Sequence, residues 1–219
     1  MSDGYATRAA LHEQFVDGYG TVRVLPLHAG LDAPVVHGWV TADRAAFWGM
    51  GDLTEDQVAS TYAHMETLDT HRAHLLVKDG EPVALLQTYE PAADRVGECY
   101  PVEPGDIGVH LLLAPAGPGG GRPGWTTALL GAVASYVLLG LGRDRVVVDP
   151  DVRNEKAVAR FHRQGFTPGP VVVLPEVDLP DVYLPEKRAQ LAFLAREAVF
   201  PEEAPIAPAG REGRTAAEV

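Results

Sequence analysis

The chain predicts an α/β (α+β) fold, and three stretches predict it. From residue 107 to 166 an apolar run, IGVHLLLAP, leads into a glycine-rich turn, AGPGGGRPGW, and an amphipathic segment, TTALLGAVASYVLL. A second apolar run, DRVVVDP, and a second helical pattern, EKAVARFHRQGF, follow. That succession of strand, turn, helix, strand and helix implies adjacent parallel or nearly parallel strands. Upstream, two strand-like runs at residues 74–77 and 83–89 flank Lys78-Asp79-Gly80-Glu81, a hairpin signal because Asp-Gly tolerates positive φ. Residues 21–27, TVRVLPL, alternate apolar and polar positions as a first strand does.

With 219 residues, 46% of them hydrophobic, one domain with a full core is expected over residues 20–200. Residues 1–19 show no clean period and are expected as a loose arm. Residues 201–219, rich in Pro, Ala, Glu and Arg, are expected to be disordered. No apolar run is long enough to cross a bilayer and no signal pattern opens the chain, so a soluble cytoplasmic protein is expected, a monomer or weak homodimer. The single Cys99 allows neither an internal disulfide nor a zinc cluster, and no metal site is expected. A net charge of −12 argues against nucleic acid and anionic membrane and suits a cationic small substrate.

Between the first strand and the hairpin, residues 28–34 read as a turn-rich link and residues 42–50 as a short helix ending near Gly49. Phe47 and Trp48 are adjacent there, so both cannot face one core, and one of them is free to line a cleft. Thr54-Glu-Asp-Gln57 is a capping box opening a helix to about Leu68, with Val58, Tyr62 and Met65 inward. Residues 90–106 form a connection long enough that it either serves a site or is mobile. Residues 171–174 and 177–183, interrupted by Pro175 and Pro180, read as edge-like or bent strands. Pro185 then opens a predicted helix, PEKRAQLAFLAREAVF, with Leu191, Leu194 and Ala198 in a stripe.

Gly119 to Gly121 and Gly124 sit where the strand ending near Ala114 hands over to a helix, a place where free backbone N–H groups favour an anion. After the next strand comes Asn154-x-x-Ala157-x-x-x-Phe161-x-x-x-Gly165-Phe166. Together these resemble the pyrophosphate loop and closing motif of the GCN5-related N-acetyltransferases (GNAT). The resemblance implies a mixed, mostly antiparallel central sheet with a splayed parallel strand pair, flanked by helices, and an acyl-CoA co-substrate. It places cofactor-binding roles on Leu112, Leu113 and Ala114 of the central strand, on Gly120, Gly121, Arg122, Gly124, Trp125 and Thr126 of the loop and helix start, and on Asn154, Lys156 and Phe161. Two departures stand out. The loop reads Gly121-Arg122-Pro123-Gly124-Trp125-Thr126 where the family opens with Gln or Arg and closes with Gly or Ala. Phe161 stands where many members carry a Tyr that protonates the leaving thiolate.

His110 lies at the start of the strand expected to meet the thioester, and an imidazole titrating near neutrality suits a general base. Asp149 and Asp151 flank Pro150 at the end of the next strand; either carboxylate can orient the imidazole, and Asp151 can equally cap the following helix. Phe47, Trp48, Gln87 and Tyr89 are the candidate acceptor-site residues. Acids of residues 90–106 are candidates to receive a second, cationic amine. The segments Arg44 to Met50, Pro104 to His110, Asp149 to Lys156 and Leu184 to Arg188 are similar to the siderophore-biosynthesis acyltransferases, the desferrioxamine type above all. That similarity implies an N-hydroxylated amine as acceptor, acetyl- or succinyl-CoA as donor and a hydroxamate product. Other acceptors, such as an aminoglycoside, and a non-catalytic acyl-CoA-binding module are the rival expectations.

Overall fold

The computed structural model describes residues 3–116, 123–179 and 182–201. In chain order it contains α1 (Asp3–Ala6), β1 (His12–Val16), β2 (Gly20–Pro26), α2 (Ala29–Val40), a 3-10 segment at Asp43–Trp48 and α3 (Glu55–Glu66). Next come β3 (His71–Lys78), β4 (Glu81–Tyr89), 3-10 turns at Pro91–Ala93 and Arg95–Glu98, and β5 (Asp106–Leu113). The second half holds α4 (Trp125–Ala134), widening into a π turn at Ser135–Gly140, then β6 (Arg145–Val148) and α5 (Glu155–Arg163). It ends with β7 (Thr167–Leu174), β8 (Val177–Leu179), β9 (Val182–Leu184), β10 (Lys187–Ala195) and α6 (Arg196–Val199).

Eight strands form one sheet in the order β1-β2-β3-β4-β5-β6-β10-β7, while β8 and β9 pair by themselves. Every pairing in the large sheet is antiparallel except β5 with β6. This is the mixed sheet with one parallel pair that the sequence predicts. Strand alternation divides the core between two faces. Leu76, Leu86, Val109, Val146 and Leu194 pack with Leu129, Val133 and Val137 of the α4 side. Leu75, Leu85 and Leu112 pack with Val36, Trp39, Val58 and Tyr62 of α2 and α3. The local signals act as expected at two places. Thr54 and Gln57 close the capping box of α3 reciprocally, and Asp79 and Gly80 take φ of 49° and 86° in the β3–β4 hairpin.

Three expectations are corrected, and one that is open between two readings is narrowed. Residues 12–16, expected within the loose arm, form β1 against β2; as an edge strand with no fully buried residue, it carries little hydrophobic signal. Residues 28–34 open α2 rather than a link, since Ala29, Ala33, Val36 and Val40 make a helical stripe that accommodates Pro34. The 90–106 connection is packed through buried Val96, and Arg95 donates to the carbonyls of Pro175 and Pro185. The predicted helix after Pro185 is instead β10, inserted between β6 and β7. A bulge between Gln190 and Ala192 puts Ala189, Leu191, Ala192 and Leu194 all in the core, and this broken alternation imitates a helical stripe. The loop residues Gly119, Gly120, Gly121 and Arg122, and the tail beyond residue 201, lie outside the described residues. No helix among the described residues is long and apolar enough to cross a membrane.

Candidate active site

The parallel pairing of β5 and β6 lasts three residues: Asp106 with Arg145, Ile107 with Val146 and Gly108 with Val147. Beyond it β5 continues to Leu113, whereas β6 stops at Val148 and the chain turns at Asp149-Pro150. Pro150 has no N–H to extend a ladder. Among the described residues, the β5 backbone from Val109 to Leu113 therefore keeps β4 on one side and has no strand neighbour on the other. Leu112 and Leu113 lie on that stretch, and the Ala114 N–H just after it donates to the Val83 carbonyl. The Leu113 carbonyl accepts from Arg44, which ties the 3-10 segment Asp43–Trp48 to the end of the strand.

His110 and Asp149 meet where the two strands part. His110 Nε2 lies 2.9 Å from Asp149 Oδ1, and the carboxylate is 3% exposed. The Tyr89 hydroxyl donates to the same oxygen at 3.2 Å, and Lys187 Nζ donates to Oδ2 at 2.6 Å. Burial acts to raise the Asp149 carboxyl, but His110 and Lys187 outweigh it and hold the group well below the ordinary carboxylate range. Tyr89 is buried beside that charge, and both effects push its phenol well above the usual value, so it is a neutral donor. An ionised carboxylate only accepts hydrogen bonds, so Nε2 keeps a proton toward Asp149, and Nδ1 is the ring nitrogen that gains and loses one, that proton pointing at Gln87 Oε1 when present.

The Tyr89 ring reaches Asp149 by crossing Gly108, its partner on β5. A Cβ at Gly108 would lie 2.1 Å from ring carbons of Tyr89, so glycine is required there by the close approach. Gln87 pairs with His110 across the same two strands. Its Oε1 is 3.4 Å from Nδ1, and its Nε2 donates to the Tyr62 hydroxyl at 3.2 Å. Trp48 stands edge-on to the imidazole with ring centroids 6.3 Å apart, and Tyr89 lies 4.9 Å from it. Three of the four candidate acceptor-site residues, Trp48, Gln87 and Tyr89, thus surround His110. Phe47 turns outward under the Arg153 guanidinium, 5.8 Å from its ring.

Asp151 is engaged elsewhere. Its carboxylate accepts the Arg153 backbone N–H at 2.8 Å and the guanidinium through Nε and Nη2 at 2.9 and 2.7 Å. Those hydrogen bonds from Arg153, against the effect of burial, lower its pKa. The cap of α5 is Asn154, whose side chain accepts the Ala157 N–H, so neither reading of Asp151 as helix cap nor contact with His110 describes its geometry. Lys156 is exposed on the first turn of α5, and Phe161 packs on Phe166 with centroids 5.1 Å apart. At the start of α4, Gly124 has a φ of 82° and caps the helix, with no acidic residue in the first turn. Thr126 is half-buried, and Trp125 packs edge-on against Tyr19 at 5.1 Å, with Lys78 over its ring.

Sequence reasoning missed Lys187 as a ligand of Asp149 and Gly108 as the seat of Tyr89. Lys187 is invisible without knowing that β10 lies beside β6, and Gly108 without the β4–β5 register. The similarities of the chain agree with this architecture. The acetyltransferase (GNAT) domain family matches residues 29–174. The N(6)-hydroxylysine O-acetyltransferase of Escherichia coli is 27% identical over 174 residues, 78% of this chain and 51% of that protein, so the chain spans about half the length of this curated relative. An uncharacterized protein from Bacillus halodurans superposes with a TM-score of 0.70 at 22% identity, over 89% of this chain and 95% of the other. The aminoglycoside acetyltransferase AAC(6')-Ib, solved with acetyl-CoA, superposes with a TM-score of 0.64 at 19% identity, over 84% and 98%. On the family match, which takes in both strands of the splayed pair and the turn that carries Asp149, the chain belongs to the acetyltransferase (GNAT) domain family.

Proposed function

We propose that the chain is an acyl-CoA-dependent N-acyltransferase that converts an N-hydroxylated amine into a hydroxamate, the iron-chelating group of siderophores. The observation that carries this reading is the His110–Asp149 pair at the point where β5 loses β6, with Nδ1 as the basic atom. The hydroxylysine acetyltransferase relative supports the acceptor class, and the acetyl-CoA complex of the structural neighbour supports the donor class.

The chemistry needs one base. An N-alkylhydroxylamine is a weaker base than an alkylamine and is largely neutral at pH 7, so its nitrogen already has a free lone pair. As that nitrogen attacks the thioester carbonyl, Nδ1 of His110 takes its proton, and Asp149 stabilises the imidazolium through Nε2. The tetrahedral intermediate collapses with cleavage of the C–S bond, and the imidazolium returns the proton to the departing thiolate. Phe161 in place of a tyrosine acid is then no obstacle. The unpaired β5 edge from Val109 to Leu113 offers backbone groups to the pantetheine arm, and positioning of the two substrates supplies much of the rate.

The test is thiol release from acetyl-CoA and succinyl-CoA, comparing cadaverine with N-hydroxycadaverine, N-hydroxyputrescine, N-hydroxylysine and N-hydroxyornithine. Release that requires the N-hydroxyl group is expected, and His110→Ala is expected to lower kcat by roughly 10²- to 10⁴-fold. Release with aminoglycosides and not with hydroxylamines moves the chain to the second reading, which its structural neighbour favours. Coenzyme binding with no release under any acceptor sinks the enzymatic reading and leaves a binding module.

A further inference from the structure

Lys187 reaches the site from the first position of β10, where its backbone pairs with Leu174 of β7. Its Nζ takes Asp149 Oδ2 at 2.6 Å, while Oδ1 takes His110 and Tyr89, so each carboxylate oxygen has its own partners. The Lys187 side chain is 23% exposed and Asp149 is 3% exposed, which separates this pair from surface ion pairs of negligible worth. Removing one member of such a buried pair leaves the other as an uncompensated charge.

Other groups face the same carboxylate. Tyr89 from β4 is a neutral donor, and Gln87 beside it is neutral. Asp94, at the start of the 3-10 turn Arg95–Glu98, adds negative charge toward both His110 and Asp149, with His71 of β3 at 3.9 Å from it. The Cys99 thiol, raised by its own burial, also lies within the field of Asp149. Lys187 is therefore, among the described residues, the lysine that offsets the Asp149 charge beside the imidazole. An imidazole facing unbalanced carboxylates is held as imidazolium, which has no lone pair with which to accept a proton.

We propose that Lys187 is a positioning residue for the His110–Asp149 pair: it turns Asp149 so that Oδ1 meets the imidazole and balances the carboxylate charge beside the base. The proposal rests on His110 being that base. Its test follows the His110 ring directly, by NMR titration of the free protein labelled with ¹⁵N-histidine, using His110→Gln to assign the signal among eight histidines. Lys187→Met is expected to raise the His110 titration midpoint by about one pH unit, with a matching fall in kcat/KM that is smaller near neutrality and reaches about ten-fold at pH values well below both midpoints. The KM for acyl-CoA is expected to stay within about two-fold, as Lys187 touches the carboxylate and not the donor. Lys187→Arg restores the titration, and in an Asp149→Asn background Lys187→Met moves it no further. Lys187→Gln serves the same purpose where the Met variant fails to fold. An unmoved midpoint in a folded variant overturns the proposal whatever the turnover. A moved midpoint with full turnover in His110→Ala upholds the linkage and overturns the base assignment alone.

Discussion

Gly108 decides where Tyr89 can lie. The phenol ring fills the space a Cβ at Gly108 would take, 2.1 Å from it, and its hydroxyl reaches Asp149 with both residues 3% exposed. Gly108→Ala pushes a methyl group into the ring, so the ring or the strand must move. The expected cost is roughly 1–3 kcal/mol by chemical denaturation, together with lost turnover, because Asp149 then loses a donor and its fixed orientation. Tyr89→Phe is the matched comparison: the ring stays, one hydrogen bond to the ionised carboxylate goes, and about 1.5–3 kcal/mol is expected. A Gly108→Ala protein as stable as the parent removes the close approach as the reason for glycine. His110 and the Asp149/Asp151 pair were legible in the sequence because they sit at fixed offsets from strand ends. What chose between the two aspartates was register and burial: Asp149 falls under Tyr89 and Lys187, while Asp151 folds back onto Arg153 two residues away.

At the scale of elements, the sequence discloses what local chemistry controls and conceals what only neighbours control. The capping box of α3, the Asp-Gly hairpin and the strand–turn–helix–strand–helix unit are set by residues within a few positions of one another. By contrast, β10 owes its conformation to two flanking strands. Its apolar residues at 189, 191, 192 and 194 fit a helix as well as a bulged strand, and its Leu and Ala content favours helix in isolation. Pairing with β6 on one side and β7 on the other overrides that preference. Two outcomes follow for β10. Leu191→Ala, at a fully buried side chain, is expected to cost about 2–5 kcal/mol in denaturant midpoint analysis. Ala192→Pro, at a central strand position opposite Val148, removes ladder hydrogen bonding and is expected to prevent folding. Soluble, cooperatively folded Ala192→Pro protein would contradict the central placement of β10. The same argument explains α2: Gly30 and Pro34 read locally as a link, and the stripe from Ala29 to Val40 is decided by the sheet face it covers.

Across the whole molecule, the response to acid depends on which groups the fold keeps from protonating. His74 lies 3% exposed on β3, hydrogen-bonded through Nε2 to Thr88 and edge-on to Tyr136 at 5.4 Å, while Nδ1 has no hydrogen-bond partner. Burial, with a smaller push from Arg72, lowers its pKa from 6.5 to about 4. The folded protein therefore binds fewer protons than the unfolded chain between those values. The His74 contribution to stability is complete above pH 6.5 and declines as pH falls toward 4, by up to about 3 kcal/mol. His12, also lowered by burial, acts in the same direction. Asp149 and Asp94 are depressed carboxylates, so their contributions persist through this window and are lost only at lower pH. The net charge of −12 acts oppositely, because acidification brings it toward zero and relieves self-repulsion. A loss of stability between pH 6.5 and 4.5 thus has a buried imidazole as its source and not the global charge. Denaturant midpoints measured across that range are expected to fall steadily in the parent and to flatten in His74→Gln, whatever the absolute stability of the variant. An equal slope in the two proteins would show that His74 is free to take up its proton without unfolding.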